Sequence, residues 1–437
     1  MSSVEFDRYD TYEDSGVEWF GDIPRHWKIS HLKRFCKKIT DGAHTSPDLL
    51  SNDYPFLTVV NLNNGKLDFD NCLFTSYVDY EKLVRNGCQP KKNDVLYSKD
   101  GTISETAVID EDRNFVVGSS FIIVRPNLKI SNPAYLCYFL TSPIMRYQAQ
   151  IYVKGASLPR ISIFNITKLI SIVPSLPEQQ TIAVYLDTKT ANIDRQIDLL
   201  TQKATQYAKL KQSLINVSVT RGLDKTVAMK DSGVEWIGEV PAHWEVRRIK
   251  DLFVESKARS TTGDELLLSV SEYTGVTQKH DNVGEDKFVS RAESLVGYKI
   301  CKVGDIVINI MLAWKRGLGV SPFYGIVSPS YAVYVPLNMV NSAFFHYLLR
   351  AEDAIAEFKR NSTGIIESRL RLYADSFYAL SVAVPSFEEQ RVIANYLDEK
   401  TAHIDSIIQT INTQIGKLKE LRKTLINDVV TGKIKVV

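Results

Sequence analysis

"PSLPEQQTIAVYLDTKTANIDRQIDLL" runs from Pro174 to Leu200, and "PSFEEQRVIANYLDEKTAHIDSIIQTI" runs from Pro385 to Ile411. The copies lie 211 residues apart, and the likeness continues through "LKQSLINVSVT" (210–220) and "LRKTLINDVVT" (421–431). Each opens as a helix should. Ser175 followed three residues later by Glu178, with Pro177 in the first turn, reads as a capping box, and Ser386 with Glu389 repeats it.

Beyond the cap, seam residues recur at alternating spacings of four and three. They are Leu186, Thr190, Ile193, Ile197, Leu200, Ala204, Tyr207, Lys211 and Leu214 in the first copy. The second has Leu397, Thr401, Ile404, Ile408, Ile411, Ile415, Leu418, Arg422 and Leu425. A 3.5-residue period held over about four heptads is a coiled-coil pattern. Even the polar interruptions match, Thr with Thr and Lys with Arg. A narrow seam on a helix of about 40 residues, roughly 60 Å long, needs another long seam. The chain supplies one, so the two helices are expected to pair antiparallel rather than pack separately.

A second repeat points the same way. "DSGVEWFGDIPRHW" (14–27) returns as "DSGVEWIGEVPAHW" (231–244), 217 residues later. The chain therefore reads as two half-copies, each a Trp phrase, a region of about 140 residues and a long helix. Trp19, Trp27, Trp236 and Trp244 are expected to pack the chain against this frame, with a docking surface for partner subunits as the sharper alternative.

The regions between the repeats, 28–173 and 245–384, share an outline. Turn-strand signals at 93–98 and 304–310 precede strands at 121–126 and 331–336 that stop at proline. Helices start near Ala134 and Ala343, and Arg160 and Arg371 each sit fourteen residues before the Pro that opens the long helix. The same mixed domain with different loops is expected twice. The loops "SKDGT" (98–102), "VKGASLPR" (153–160), "AWKRG" (313–317) and "FKRNSTGIIESRLR" (358–371) carry positive charge. Lys99, Lys154, Arg160, Lys315, Arg316, Lys359, Arg360, Arg369 and Arg371 in them are candidates to neutralise phosphates or meet base edges. In "TDGAHTSP" (40–47), His44 and Thr45 are further candidates on a polar turn.

Composition limits the alternatives. The chain has 437 residues, too many for one core. Its net charge is +2, so a DNA-facing surface must be local. No apolar run is long enough to span a membrane, and a polar stretch follows Met1. The five cysteines (Cys36, Cys72, Cys88, Cys137 and Cys301) are scattered, which favours reduced thiols and a cytoplasmic location over disulfides or zinc. Motifs for dinucleotide, P-loop, zincin, amino-methyltransferase and nucleophile-elbow chemistry are absent. Asp264–Glu265 and Asp110–Glu111–Asp112 read as solvated turns, the histidines have no carboxylate at useful sequence spacing, and no catalytic or metal-binding residue is expected.

These phrases, "DSGVEWFGDIPRHW", "TDGAHTSP", "SLPEQQTIAVYLD" and their second copies, resemble the specificity subunits of type I restriction-modification systems over essentially the whole chain. The resemblance implies a mixed α/β (α+β) fold, with two target recognition domains held apart by two long antiparallel coiled-coil helices in a pseudo-twofold duplication. Target recognition domains are expected at 1–173 and 223–384, with spacer helices at 174–222 and 385–437. It implies a non-catalytic chain that reads an asymmetric bipartite site in double-stranded DNA, with helices that set the gap. Two methyltransferase subunits and further restriction subunits are the implied partners. S-adenosylmethionine, ATP and magnesium are expected on those partners, whose complex methylates adenine and cuts DNA with ATP. The rival reading is a coiled-coil adaptor whose domains bind proteins instead of DNA.

Overall fold

A computed structural model describes residues 7–63, 65–155, 159–279 and 294–436. The heptad segments fold as two continuous helices, Leu176–Arg221 and Phe387–Val430. The chain divides into two compact units: Met1–Leu200 with Thr413–Val437, and Thr201–Asn412. Both divisions fall inside a long helix. Each unit therefore holds one domain body, the first part of one helix and the last part of the other.

In the first unit the helix segments run antiparallel. Tyr135 donates through its hydroxyl toward Ile172 O (3.0 Å), just before the first helix, and Val430 O (3.4 Å), at the end of the second. Farther along, Arg422 pairs with Asp194 at 2.9 Å. The second unit repeats this with Lys211 and Asp405, 2.6 Å apart. Lys211 and Arg422, the charged interruptions of the heptad seam, thus meet equivalent aspartates on the opposing segment. A charged seam position weakens pairing somewhat but penalises other registers. The apolar seam is buried around them: Leu186, Ile193 and Leu425 in one unit, Leu397, Ile404 and Ile411 in the other.

Each body is built on the same four-stranded antiparallel sheet. In the first unit the order is Thr106–Val108, Val95–Ser98, Phe121–Pro126 and Cys36–Asp41. In the second it is Leu318–Val320, Ile306–Asn309, Tyr331–Pro336 and Phe253–Glu255. The expected strands are present as neighbours. The helices Pro133–Thr141 and Ser342–Leu348 follow, capped by Asn132 and Asn341, whose side chains each accept a backbone N–H at 3.0 Å. The units diverge in the segments that join Cys36–Asp41 to Val95–Ser98 and Phe253–Glu255 to Ile306–Asn309. The first unit places strands Tyr54–Leu57 and Leu73–Thr75 and the helix Tyr77–Arg85 there. The second places the hairpin Leu268–Ser271/Gly275–Gln278 there instead.

The Trp phrase joins body and helices. Trp27 is buried and donates from Nε1 to Glu178 Oε1 at 2.9 Å, with His26 Nε2 3.2 Å from Glu178 Oε2. Trp244 does the same to Glu389 at 3.0 Å, with His243 at 2.8 Å. The other end of each Trp meets the end of the opposite helix. Gly432, at φ +77°, packs on Trp27 so closely that an added Cβ would sit 3.1 Å from the ring and against Pro24. Gly222, at φ +72°, abuts Trp244 in the same way at 3.4 Å. Each Trp is wedged where one helix starts and the other stops.

This corrects the expected capping boxes. Glu178 and Glu389 occupy the right positions, but their carboxylates receive the indole N–H groups from the Trp phrase. Only the serine half of the motif appears, as Ser386 Oγ accepting from the Glu389 amide at 3.3 Å. An indole donor to a carboxylate with 7% side-chain exposure outcompetes a backbone amide that water can reach.

The next residue contributes as much. Gln179 is fully buried, accepting from Asn132 N at 2.8 Å and donating to Ile130 O and Pro174 O at 2.9 and 3.0 Å. Gln390 makes the equivalent three bonds to Asn341 N, Met339 O and Pro385 O. Farther along each helix, Tyr138 donates to Asp187 at 2.7 Å and Tyr347 to Asp398 at 2.7 Å. The repeated residues Glu, Gln, Tyr-Leu-Asp and Thr are thus largely those that dock each domain body on its helix. Among the described residues, no helix is long and apolar enough to cross a membrane.

Candidate nucleic-acid interface

Each unit carries an open groove, and the two occupy equivalent places. In the first unit Ile161 N donates to Lys99 O, and Lys154 and Arg160 exchange backbone hydrogen bonds of 3.0 and 2.9 Å. The loop after strand Val95–Ser98 is thereby tied to the segment 153–162. The resulting groove, about 520 Å³, is lined by Tyr152, Lys154, Gly155, Arg160, Ser162 and Asn165. In the second unit Leu372 N donates to Ile310 O, and Thr363 and Arg371 exchange two bonds of 2.9 Å. This groove is about 550 Å³ and is lined by Trp314, Lys315, Glu367, Ser368 and Arg371 with Asn309, Met311 and Leu312. Segments about sixty residues apart in sequence close each site.

An aromatic ring organises the charges of the second groove. Trp314 fixes its indole N–H on Met311 O at 3.1 Å. Lys315 and Lys359 place their ammonium groups 4.8 and 5.3 Å from the ring centre. Lys359 also pairs with Glu367 at 2.6 Å. Behind this wall, Arg350 donates to four carbonyls, those of Glu272, Tyr273, Arg316 and Leu318. Burial and the neighbouring Arg316 push its value down to about 10, so it still carries its charge at neutral pH.

Residues 24–206 match the family model for the type I restriction modification DNA specificity domain. The type I restriction enzyme MjaVIII specificity subunit of Methanocaldococcus jannaschii is 24% identical over 442 residues, covering 95% of this chain and 94% of that protein. This chain is similar to the specificity subunits of type I restriction-modification systems. Solved structures agree on the fold of such a subunit. A chain solved to explain complex assembly and conformational transition of the type I R-M system superposes with a TM-score of 0.68 at 15% identity. That match covers 93% of this chain and 98% of that one. The HsdS subunit from Thermoanaerobacter tengcongensis gives 0.51 at 14% identity, covering 94% and 98%.

The candidate side chains separate by what already holds them. Lys99 is removed from the candidates: its ammonium is 6% exposed and bonds Asp41 at 2.7 Å, so its charge is neutralised inside the unit. The same aspartate holds His44, an exposed ring 2.9 Å away, with Thr45 exposed beside it. Arg160 lies at its groove but is clasped bidentately by Asp100 at 2.7 and 3.0 Å. Its remaining N–H groups face outward from a side chain 55% exposed. Arg371 donates to the carbonyls of Ser368 and Leu370, bracing its own loop. Arg316, at φ +63°, spends its Nε on Arg350 O and turns away from the groove lining. Arg360 pairs with Glu357 at 3.4 Å and reaches Glu235 at 4.0 Å. Lys154, Lys315 and Arg369 are exposed, with no ion pair among the described residues.

Sequence spacing missed the histidine pairs, because the carboxylates partnering His26 and His243 lie more than 140 residues away. Trp19 packs edge-on to Tyr147, ring centres 6.4 Å apart, and Trp236 packs half-buried on the second unit's core. Trp27 and Trp244 carry the helix contacts. The acidic turns behave as turns: Glu265 accepts from Ser260 and Asp112 from the Lys92 amide.

His346 gives the second unit a pH dependence. Its Nδ1 accepts the Val320 N–H at 3.2 Å, so the ring is neutral there. Burial, assisted by Arg350, lowers its value from 6.5 to about 4. Between these values the unfolded chain binds the proton and the folded chain does not. The stabilisation is complete above pH 6.5 and is lost as pH falls toward 4. Urea denaturation against pH should show this slope in the wild type and a flatter one in His346→Asn. An unchanged slope in the variant would refute the assignment.

Proposed function

We propose that each unit reads one half of an asymmetric, bipartite site in double-stranded DNA, and that the paired helices fix the number of base pairs between the halves. The observation that carries this reading is the pair of equivalent grooves, one per unit, closed by the same two loops and lined by cations, Lys154 and Arg160 in the first and Lys315 and Arg371 in the second. The shared sheet and differing insertions supply a common mount for two different readers. Lys154, Arg160, Lys315, Lys359, Arg369 and Arg371 sit at or beside these grooves as phosphate or base-edge contacts, with His44 and Thr45 beyond the first. The chain itself performs no chemistry. It recruits two methyltransferase subunits, which bind S-adenosylmethionine and methylate adenine, and restriction subunits that use ATP and magnesium to cut. The complex acts in the cytoplasm.

Two weak readers on a fixed spacer bind well only when both half-sites fall at the right separation. The test is to co-express the chain with its methyltransferase partner and map methylated adenines across a host genome. The expected result is one split motif with unlike halves and a constant gap. Absence of new sequence-specific methylation with a competent partner would refute the reading.

A further inference from the structure

The loop closed by Thr363 and Arg371 ends in two apolar side chains that the second unit leaves uncovered. Ile365 is 95% exposed and Ile366 53%. Single exposed apolar residues are ordinary on protein surfaces. These two differ in setting, because cations flank them: Lys359 and Arg360, exposed but paired with Glu367 and Glu357, before the tip, and exposed Arg369 and half-buried Arg371 after it. The loop is also braced. Its ends are joined by the two Thr363–Arg371 backbone bonds, Lys359 ties Glu367 at 2.6 Å, and Arg371 holds the carbonyls of Ser368 and Leu370 on the returning turn. A braced tip loses little freedom on contact.

We infer that Ile365 reads the 5-methyl group of a thymine in the half-site of the second unit. The inference rests on that unit being a DNA reader and names one feature it reads. Cations on both sides of an apolar point match a polyanion that offers an apolar point between its phosphates. In the major groove that point is the thymine methyl, which side chains recognise by apolar contact. Lys315 and Arg369 seat the loop on the backbone, and Ile365 supplies discrimination. An acidic protein partner would need an apolar pocket inside its charged surface, and it is one outcome of the test.

The experiment uses the assembled complex of this chain with its methyltransferase subunits. The second unit's half-site is the one that changes when residues 245–384 are exchanged for those of a relative. Each thymine in it is replaced in turn by deoxyuridine, which removes only the methyl group. One position should weaken binding about fourfold, the equivalent of about 0.8 kcal/mol for one buried methyl. That penalty should vanish in Ile365→Ser and persist in part in Ile365→Val. A half-site without thymine, no penalty at any thymine, or a penalty unchanged in Ile365→Ser overturns the inference while the reader assignment stands. Loss of co-purification with the methyltransferase in Ile365→Ser also overturns it, because the tip would then dock protein. If the complex shows no sequence-specific methylation at all, the reader assignment fails first.

Discussion

Trp244→Ala should lower the stability of the chain by about 3–5 kcal/mol in urea denaturation, the range for emptying a large buried aromatic site. The ring is fully buried, packs edge-on to Phe344 at 6.5 Å and bonds Glu389 at 3.0 Å. Its removal opens a cavity, unpairs a carboxylate oxygen and takes away the surface on which Gly222 ends the first long helix. Phenylalanine separates these effects, since it keeps most of the volume and loses the donor. Trp244→Phe should then cost about 1 kcal/mol, because the Glu389 side chain is 28% exposed and water can replace the indole. Trp27→Phe should cost more, toward about 3 kcal/mol, because its partner Glu178 is only 7% exposed. Equal costs for the two phenylalanine variants would show that the carboxylate contacts do not anchor the phrase. A stability change below about 1 kcal/mol for Trp244→Ala would remove the clamp from the account.

Removing the unpaired groove cations should produce the largest effect on function. Lys315→Ala with Arg369→Ala in the second unit deletes two expected phosphate partners. Each cation removed should flatten the slope of log K against log salt by about 0.9. At about 100 mM salt the affinity should fall roughly tenfold for each of them, and methylation of subsaturating DNA should fall with it. The recognised sequence should stay the same, because phosphate-binding side chains position the protein and do not specify bases. Lys154→Ala should behave likewise in the first unit. Lys99→Ala should differ: its ammonium neutralises Asp41 in a buried pair, so the variant should lose stability and leave the salt slope unchanged. Binding measured at several salt concentrations, beside a denaturation curve, separates the two outcomes. An altered methylation motif in Lys315→Ala would instead make that lysine a base reader.

Much of the architecture was legible because it is local or repeated. A heptad seam depends on spacing along one helix, and a 211-residue offset is visible in the chain as written. The strands at 93–98, 121–126, 304–310 and 331–336 announce themselves by apolar runs bounded by turns and proline. The loops facing the grooves were also visible as local clusters of Lys, Arg, Gly and Ser. Which member of a cluster is available was not visible. Lys99 and Lys154 look alike in sequence, yet one is buried against an aspartate 58 residues earlier and the other faces solvent.

Sequence alone established the duplication, the long paired helices, the mixed α/β bodies and the family resemblance. These follow from periodicity and from motif copies that one chain displays twice. Packing in three dimensions chose what the repeated motif residues hold. A glutamate three residues into a helix suits a capping box and suits an indole donor equally well. The choice was made by a tryptophan about 150 residues away, brought close by strand pairing that no local pattern specifies. Packing likewise set the division of the compact units within the long helices. Burial of a seam depends on what packs across it, and each helix finds one set of partners near its start and another near its end.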